Sequence, residues 1–255
     1  MRRHTAPRAI AALVLREIAT TYGRTPGGYL WAVLEPVAAV ALLSVVFALA
    51  FDVPPLGRDF PLFYASGYLP FVFYGDLGQK VGVALRYSRP LMAYPAVSWI
   101  DAVLARFLLN ALTHILVAAL VLGTMILLAG APPPDGLRVA AGMGLAAATG
   151  LGFGMLNAYL FERWPVWERA WAILNRPAFI VSGVLFLPDA VPPPFDDLVW
   201  LNPLAHSISL VRTGLYPGYA PGGLDPLYAL FPPLIALVLG LLLLRRDARM
   251  LLCRT

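Results

Sequence analysis

Ionisable side chains inside apolar stretches are the first candidates for chemistry in this 255-residue chain. Glu35 lies just inside the first long apolar run and directly precedes Pro36. A carboxylate at that depth is costly, which favours a functional role. Two explanations are open: Glu35 is a gating or binding acid, or it reaches the membrane surface and pairs with an arginine such as Arg24.

Three polar residues recur at every fourth position of the third apolar run: Arg106, Asn110 and His114. Positions i, i+4 and i+8 share one face of a helix, so these side chains form a polar seam. The seam must face protein or water and not lipid. It is either a hydrogen-bonded structural feature or part of a polar path.

An aromatic stripe follows one side of the second apolar run. At about 100° per residue, its members fall within roughly a third of the helix circumference. They are Phe60, Tyr64, Tyr68, Phe71 and Tyr74. The C–H faces of sugar rings stack on aromatic rings, so the stripe is suited to a saccharide path. Helix packing and a lipid-facing belt are the alternatives.

The chain lacks the motifs of an enzyme that acts alone. Its one lysine, Lys80, is outside any G-x-x-x-x-G-K-[ST] loop, so ATP cannot bind through a P-loop. The histidines are scattered without metal-ligand spacing, and neither G-x-S-x-G nor H-E-x-x-H occurs. The single cysteine, Cys253, excludes an intrachain disulfide. We expect no catalytic residue, no metal and no cofactor, with energy supplied by a partner.

The composition indicates an integral membrane protein, because 60% of the residues are hydrophobic and only 13% are charged. The net charge of +5 comes from arginines clustered at the ends of apolar runs. Such clustering is typical of membrane topology and argues against nucleic-acid binding.

The apolar runs predict an all-α polytopic fold with one six-helix membrane domain at residues 29–244. Residues 1–28 form a cytoplasmic tail with an amphipathic interface helix over 8–21, and residues 245–255 form a second cytoplasmic tail. The predicted spans are about 29–51, 60–82, 101–129, 137–161, 171–187 and 227–244.

The predicted connections differ in charge. Residues 83–100 form a basic, proline-punctuated loop, and residues 162–176 form a charged, tryptophan-rich loop. Five arginines precede Gly27 and four follow the last span, whereas each outer connection has one: Arg58, Arg138 or Arg212. This asymmetry places both termini in the cytoplasm.

Two further segments have a predicted packing role. Gly150 and Gly154 in the fourth run have G-x-x-x-G spacing, so this helix should pack closely against a neighbour. In the proline-rich segment 188–226, Asn202 caps a helix that has Pro203 at its first position. We expect this helix to be amphipathic and to lie at, or dip into, the outer interface.

Four segments resemble a known family. Arg16–Pro36 is similar to the first segment of membrane subunits of type-2 ATP-binding-cassette (ABC-2) exporters. Arg89–Arg106, Asn175–Phe186 and Asn202–Arg212 resemble the capsule-polysaccharide branch. The likeness extends in the same order over nearly the whole chain. It departs from the family pattern at Ser209, where an acid is common, and at Asn110, where glutamate is expected.

The resemblance implies a homodimer in the inner membrane, docked on two ATP-binding-cassette ATPase subunits that bind ATP and Mg²⁺. The complex would export lipid-linked capsular polysaccharide and work with periplasmic and outer-membrane partners. Short helices would follow the fifth span at the periplasmic exit. The alternatives are export of O-antigen, teichoic acid or a small amphiphile, a polytopic glycolipid transferase, and a passive channel.

The resemblance also implies roles for individual residues. Access and gating would involve Arg16, Arg24, Trp31, Glu35 and Pro36. Coupling to the ATPase would involve Arg86, Arg89, Pro90, Leu91, Tyr94 and Pro95. The periplasmic gate would involve Asn202, Pro203, His206 and Arg212. ATP-driven closure of the ATPase dimer would move the coupling loop, shift the amphipathic helix and open a path along the aromatic stripe.

Overall fold

The computed structural model describes residues 6–21, 28–92 and 97–252. This part of the chain is helical and contains no strand, which confirms the predicted all-α class. Its helices are α1 (Ala6–Thr21), α2 (Gly28–Ala48), α3 (Phe60–Gly82), α4 (Ala84–Met92), α5 (Trp99–Ala129), α6 (Gly136–Arg163), α7 (Pro165–Val181), α8 (Phe195–Trp200), α9 (Pro203–Leu215) and α10 (Pro226–Leu252), with a 3-10 turn at Pro188–Ala190.

Four described helices contain stretches long and apolar enough to cross a bilayer. These stretches are Leu30–Ala48, Trp99–Ala129, Gly136–Arg163 and Pro226–Asp247. They correspond to the first, third, fourth and sixth predicted spans. The second and fifth correspond to α3, which carries polar residues, and α7, which has 17 residues. The architecture is therefore multi-pass and helical, and the count of six spans stays a prediction.

The centre of the bundle is the contact between α3 and α6. A Cβ atom on Gly150 would lie 2.7 Å from Cβ of Leu77, and one on Gly154 would lie 2.8 Å from Cβ of Val81. Only glycine allows the two backbones to approach this closely. The predicted close packing of the glycine-rich fourth run is therefore confirmed.

The predicted loop at residues 162–176 is wrong, because α6 continues to Arg163 and α7 begins at Pro165. Trp164 alone separates the two helices, with extended backbone angles (φ −136°, ψ 93°). Proline at the first helical position has no amide hydrogen to satisfy, so Pro165 starts α7 directly. The fifth apolar helix consequently covers residues 165–181 and not 171–187.

The predicted loop at residues 83–100 also contains a helix, α4, which follows α3 after the single residue Val83. Its residues Ala84, Leu85 and Ser88 are buried, and its arginines pair with acids of α6 and α7. This packing outweighs the helix-breaking effect of Pro90.

The cap of α9 is confirmed, because Oδ1 of Asn202 accepts a hydrogen bond from the Leu204 amide at 3.0 Å. The expected amphipathic exposure is wrong. Both faces of α9 are buried, including His206, Ser209 and Arg212, because the helix packs against α3, α6 and α10. The polar face is therefore part of the protein interior.

The two ends of the bundle differ. We name the end that carries α1, α4 and the α6–α7 junction the basal end. The opposite end carries α8, the start of α9 and the start of α10, and we name it the distal end. The side of the bundle exposes apolar residues such as Leu42, Leu112 and Leu242, as expected for a lipid-facing surface.

Candidate functional site: a charged cavity between α2, α3 and α5

A cavity of about 320 Å³ lies between α2, α3 and α5 in the basal half of the bundle. Its polar and aromatic lining residues are Trp31, Glu35, Tyr68, Asp76, Lys80, Asn110, Thr113 and His114. Charged groups inside a membrane bundle are concentrated where substrates or ions pass. The described residues contain no group of three or more histidine, cysteine or acidic side chains that could hold a metal ion.

His114 and Asp76 meet in this cavity. Nε2 of His114 lies 3.0 Å from Oδ2 of Asp76, which joins α5 to α3. The imidazole stacks on Phe73, with 5.2 Å between ring centroids and 26° between planes. The contact fixes a histidine–carboxylate pair with hydrogen-bonding capacity toward the cavity.

The carboxylate of Glu35 is exposed to the cavity and makes no hydrogen bond or ion pair with any residue of the described ranges. Its neighbour Pro36 is buried inside α2 and removes one backbone donor from that helix. Arg24, the proposed partner of Glu35, lies outside the described residues. The carboxylate of Glu35 is therefore available to a ligand within this part of the structure.

The cavity brings together residues from three separate sequence predictions. Trp31, Glu35 and Pro36 come from the access segment, Tyr68 comes from the aromatic stripe, and Asn110 and His114 come from the polar seam.

Sequence reasoning missed Asp76 and Lys80 as lining residues. The available signal was the spacing of four between Tyr68, Val72, Asp76 and Lys80, which places all four on one face of α3.

The other aromatic residues of the stripe contact neighbouring side chains. Tyr64 is buried and packs on Phe47 at 5.0 Å between centroids, and Phe60 stacks on Tyr64 at 6.3 Å. Phe71 packs edge-on against Phe179 of α7 at 5.1 Å. The hydroxyl of Tyr74 donates a hydrogen bond to Oδ1 of Asn175 in α7 at 2.9 Å. Among the five, Tyr68 alone lines the charged cavity, and the predicted path role stays a prediction.

Arg106 connects three helices at the basal end. Its Nε lies 3.2 Å from Oε1 of Glu17 in α1, and both side chains are buried. Its guanidinium stacks over the ring of Tyr87 in α4 at 3.8 Å, and Nη1 donates to the carbonyl of Lys80 at 3.2 Å. Arg16 also lies over the ring of Tyr87, at 5.6 Å. Burial raises the pKa of the Glu17 carboxyl, and the positive charge of Arg106 opposes this shift.

The arginines of α4 pair with acids at the α6–α7 junction. Nη1 of Arg86 donates to Oε2 of Glu168 at 2.8 Å, and Nη2 of Arg89 donates to Oε2 of Glu162 at 2.6 Å. The hydrogen bond to Glu168 raises the pKa of Arg86. The coupling candidates Pro90 and Leu91 lie in the same helix, whereas Tyr94 and Pro95 lie outside the described residues. These ion pairs join α4 directly to α6 and α7.

His206 is held in one tautomer at the distal end. Its Nδ1 accepts a hydrogen bond from the Asp225 amide at 3.0 Å, so Nε2 carries the hydrogen and donates to the carbonyl of Trp200 at 2.6 Å. Burial lowers the pKa of His206. The neutral imidazole joins the starts of α9 and α10 to the end of α8.

Arg212 is fully buried, and its partners among the described residues are mainly backbone carbonyls and not a carboxylate. Its guanidinium donates to the carbonyls of Gly183, Val184 and Phe186 at 2.7, 2.9 and 3.0 Å. Its charge lies over the ring of Phe63 at 4.3 Å. Burial lowers the pKa of Arg212 to about 10. The side chain holds the turn after α7 against α3 and α9.

The comparisons with known proteins agree with this architecture. Residues 8–216 match the family described as ABC-2 type transporter. The chain belongs to the ABC-2 type transporter family. It is 29% identical over 245 residues to the polysialic acid transport protein KpsM of Escherichia coli, and the match covers 95% of each chain.

Two further relatives carry related names. The chain is 24% identical over 245 residues to the capsule polysaccharide export inner-membrane protein CtrC of Neisseria meningitidis serogroup A, covering 95% of this chain and 92% of that protein. It is 20% identical over 210 residues to the capsule polysaccharide export inner-membrane protein BexB of Haemophilus influenzae, covering 82% and 79%. The predicted family is confirmed, and the chain is a multi-pass inner-membrane transport subunit and not an enzyme in its own right.

Proposed function

We propose that this chain is the transmembrane subunit of an ATP-driven exporter that moves lipid-linked capsular polysaccharide across the inner membrane. One observation carries the proposal. The similarity to a polysialic acid transport protein covers 95% of both chains, which includes the helices that form the charged cavity. The substrate of that relative is a polysaccharide, and the lining of this cavity has suitable chemistry for one.

The cavity offers two kinds of contact to a glycolipid headgroup. Trp31 and Tyr68 provide aromatic faces for the C–H bonds of sugar rings. Glu35 and Asp76 provide acceptors for sugar hydroxyls, and Lys80 provides a cation for an anionic group. In this proposal the headgroup enters from the basal end, which is the cytoplasmic face.

The energy in this proposal comes from two separate ATPase subunits that bind ATP and Mg²⁺. In this proposal the chain itself holds no cofactor. The docking element is α4 with the residues that follow it, because its exposed arginines lie at the basal end and join it to α7 through Glu168. Closure of the ATPase dimer moves α4 and, through Tyr87 and Arg106, also moves α1.

The complete complex in this proposal contains two copies of the chain, each with six spans and both termini in the cytoplasm. α3 then counts as a span despite Asp76 and Lys80, because these side chains face the cavity and not lipid.

No residue of α7 is buried in the single chain, so a second copy would cover its exposed apolar residues. Periplasmic and outer-membrane partners would continue the export path from the distal end.

The test is removal of the ATPase from cells that express the chain. We expect capsular polysaccharide to disappear from the cell surface and lipid-linked polymer to accumulate inside the cell. The membrane subunit itself should remain in the membrane at its normal level. Undiminished surface polysaccharide without the ATPase would contradict the proposal.

A further inference from the structure

A second cavity, of about 420 Å³, lies at the distal end between α8, α9 and the start of α10. Its size falls within the range of about 300–1,000 Å³ that is usual for small-molecule sites. Its main side chains are Trp200, His206, Tyr228 and the carboxylates of Asp197 and Asp225. The charged cavity between α2, α3 and α5 shares none of these residues.

The aromatic walls of this distal cavity are fixed by contacts on several sides. The ring of His206 lies between those of Trp200 and Tyr228, at centroid distances of 5.0 and 5.5 Å. The hydroxyl of Tyr228 donates to the carbonyl of Leu201 at 3.2 Å. The indole of Trp200 lies directly against Gly223, where no side chain would fit. Rings held in this way lose little freedom when a ligand binds.

The carboxylates of Asp225 and Asp197 have different roles. Oδ1 of Asp225 accepts the amides of Leu227 and Tyr228, both at 3.0 Å, and so caps α10. The carboxylate of Asp197 is exposed and makes no hydrogen bond or ion pair within the described part of the chain. One acceptor on the cavity wall is therefore free for a ligand.

We propose that this distal cavity is a carbohydrate subsite that binds a neutral, hydroxyl-rich sugar residue. Trp200 and Tyr228 provide aromatic carbons on the cavity lining for contact with the C–H groups of the sugar, and Asp197 accepts its hydroxyl hydrogens. An acidic sugar is disfavoured, because its carboxylate would approach Asp197 and Asp225. The inference rests on the proposed function, since it gives the subsite an exported polymer to hold at the exit.

The subsite is tested with the full chain purified in lipid nanodiscs and two probes, maltohexaose as a neutral oligosaccharide and a sialic acid hexamer as an acidic one. Binding is measured by saturation-transfer NMR and by tryptophan fluorescence. At the distal cavity we expect maltohexaose to bind more tightly than the acidic hexamer, with binding at this cavity taken as the part that Trp200→Leu removes.

The deciding variants are Asp197→Asn and Trp200→Leu, with Asp196→Asn as the matched control because Asp196 does not line the cavity. Asp197→Asn should weaken maltohexaose binding about tenfold. It should also reduce the ratio of maltohexaose affinity to acidic-hexamer affinity, because the variant has one carboxylate fewer. Trp200→Leu should remove the fluorescence change, and the control should bind as the unmodified chain does.

Absence of maltohexaose binding, or equal binding by the unmodified chain and Asp197→Asn, overturns the subsite. That result is distinct from failure of the proposed function, which would appear as normal surface polysaccharide in cells that lack this chain.

Discussion

Glu35 is the residue whose substitution separates the functional from the structural interpretation. Its carboxylate faces the charged cavity without a partner in the described ranges, so Glu35→Gln removes a charge and leaves helix packing intact. We expect surface polysaccharide to fall by about tenfold, while the complex with the ATPase assembles normally. Export is measured on whole cells and assembly by size-exclusion chromatography.

The matched control for this substitution is Leu34→Ala, because Leu34 is adjacent, exposed and outside the cavity lining. It should export normally. Loss of assembly in Glu35→Gln would instead show that Glu35 has a structural role.

The lowered pKa of His206 leads us to predict that the stability of the protein depends on pH. Burial lowers its pKa below the ordinary value of about 6.5, and Nδ1 must stay unprotonated to accept the Asp225 amide. The stabilisation is therefore fully present above about pH 6.5 and is lost as the pH falls toward the lower pKa of the folded state.

The measurement is the melting temperature in detergent between pH 7.5 and 5. The decrease on acidification should be smaller in His206→Asn than in the unmodified protein. An equal decrease in His206→Asn and the unmodified protein would contradict the assignment.

The position of a side chain could be predicted from the sequence where it depends on one helix alone. The seam of Arg106, Asn110 and His114 and the cap at Asn202 follow from spacing within one helix. The partners of these residues could not be predicted. Asp76 is far from His114 in the sequence, and the three carbonyls around Arg212 belong to a turn whose path depends on tertiary packing.

At the scale of elements, the pair of Glu17 and Arg106 positions α1 on the bundle. Removing one partner leaves the other charge buried, so Glu17→Leu or Arg106→Leu should each cost about 3–5 kcal/mol. The double variant should recover most of this loss. The coupling energy of Glu17 and Arg106 is measured by a double-mutant cycle, from thermal unfolding of the unmodified protein, the two single variants and the double variant.

The control pair for this cycle is Asp135 and Arg138, which is solvent-exposed at 3.2 Å. Its coupling energy, measured by the same double-mutant cycle, should be below about 1 kcal/mol, because the cycle separates the ion pair from the cap that Asp135 also provides to α6. Additive effects of the Glu17 and Arg106 substitutions would contradict a direct role of the pair in docking α1.

The turn after α7 is held in place by a buried charged side chain, that of Arg212. Arg212→Met removes the donors to Gly183, Val184 and Phe186 and leaves their buried carbonyls unpaired. We expect a loss of about 3 kcal/mol or more, seen as a lower melting temperature. Arg58→Met, at an exposed position, should melt as the unmodified protein does.

At the scale of the whole molecule, apolar periodicity was sufficient to predict an all-helical membrane bundle and the approximate limits of its long helices. It failed at the α6–α7 junction and at α4, where prolines and charges suggested loops. There, ion pairs such as Arg89 with Glu162 stabilise helices that local sequence preferences do not predict. The burial of both faces of α9 was also beyond prediction, because it depends on packing against α3, α6 and α10.

The central claim is that this chain and an ATPase move lipid-linked polysaccharide across the membrane. The most direct test uses inside-out membrane vesicles that contain both subunits and a labelled glycolipid on the outer surface. With ATP, the glycolipid should become protected from an added glycosidase, and without ATP it should stay accessible. Equal accessibility with and without ATP, in vesicles whose ATPase is active, would contradict the claim.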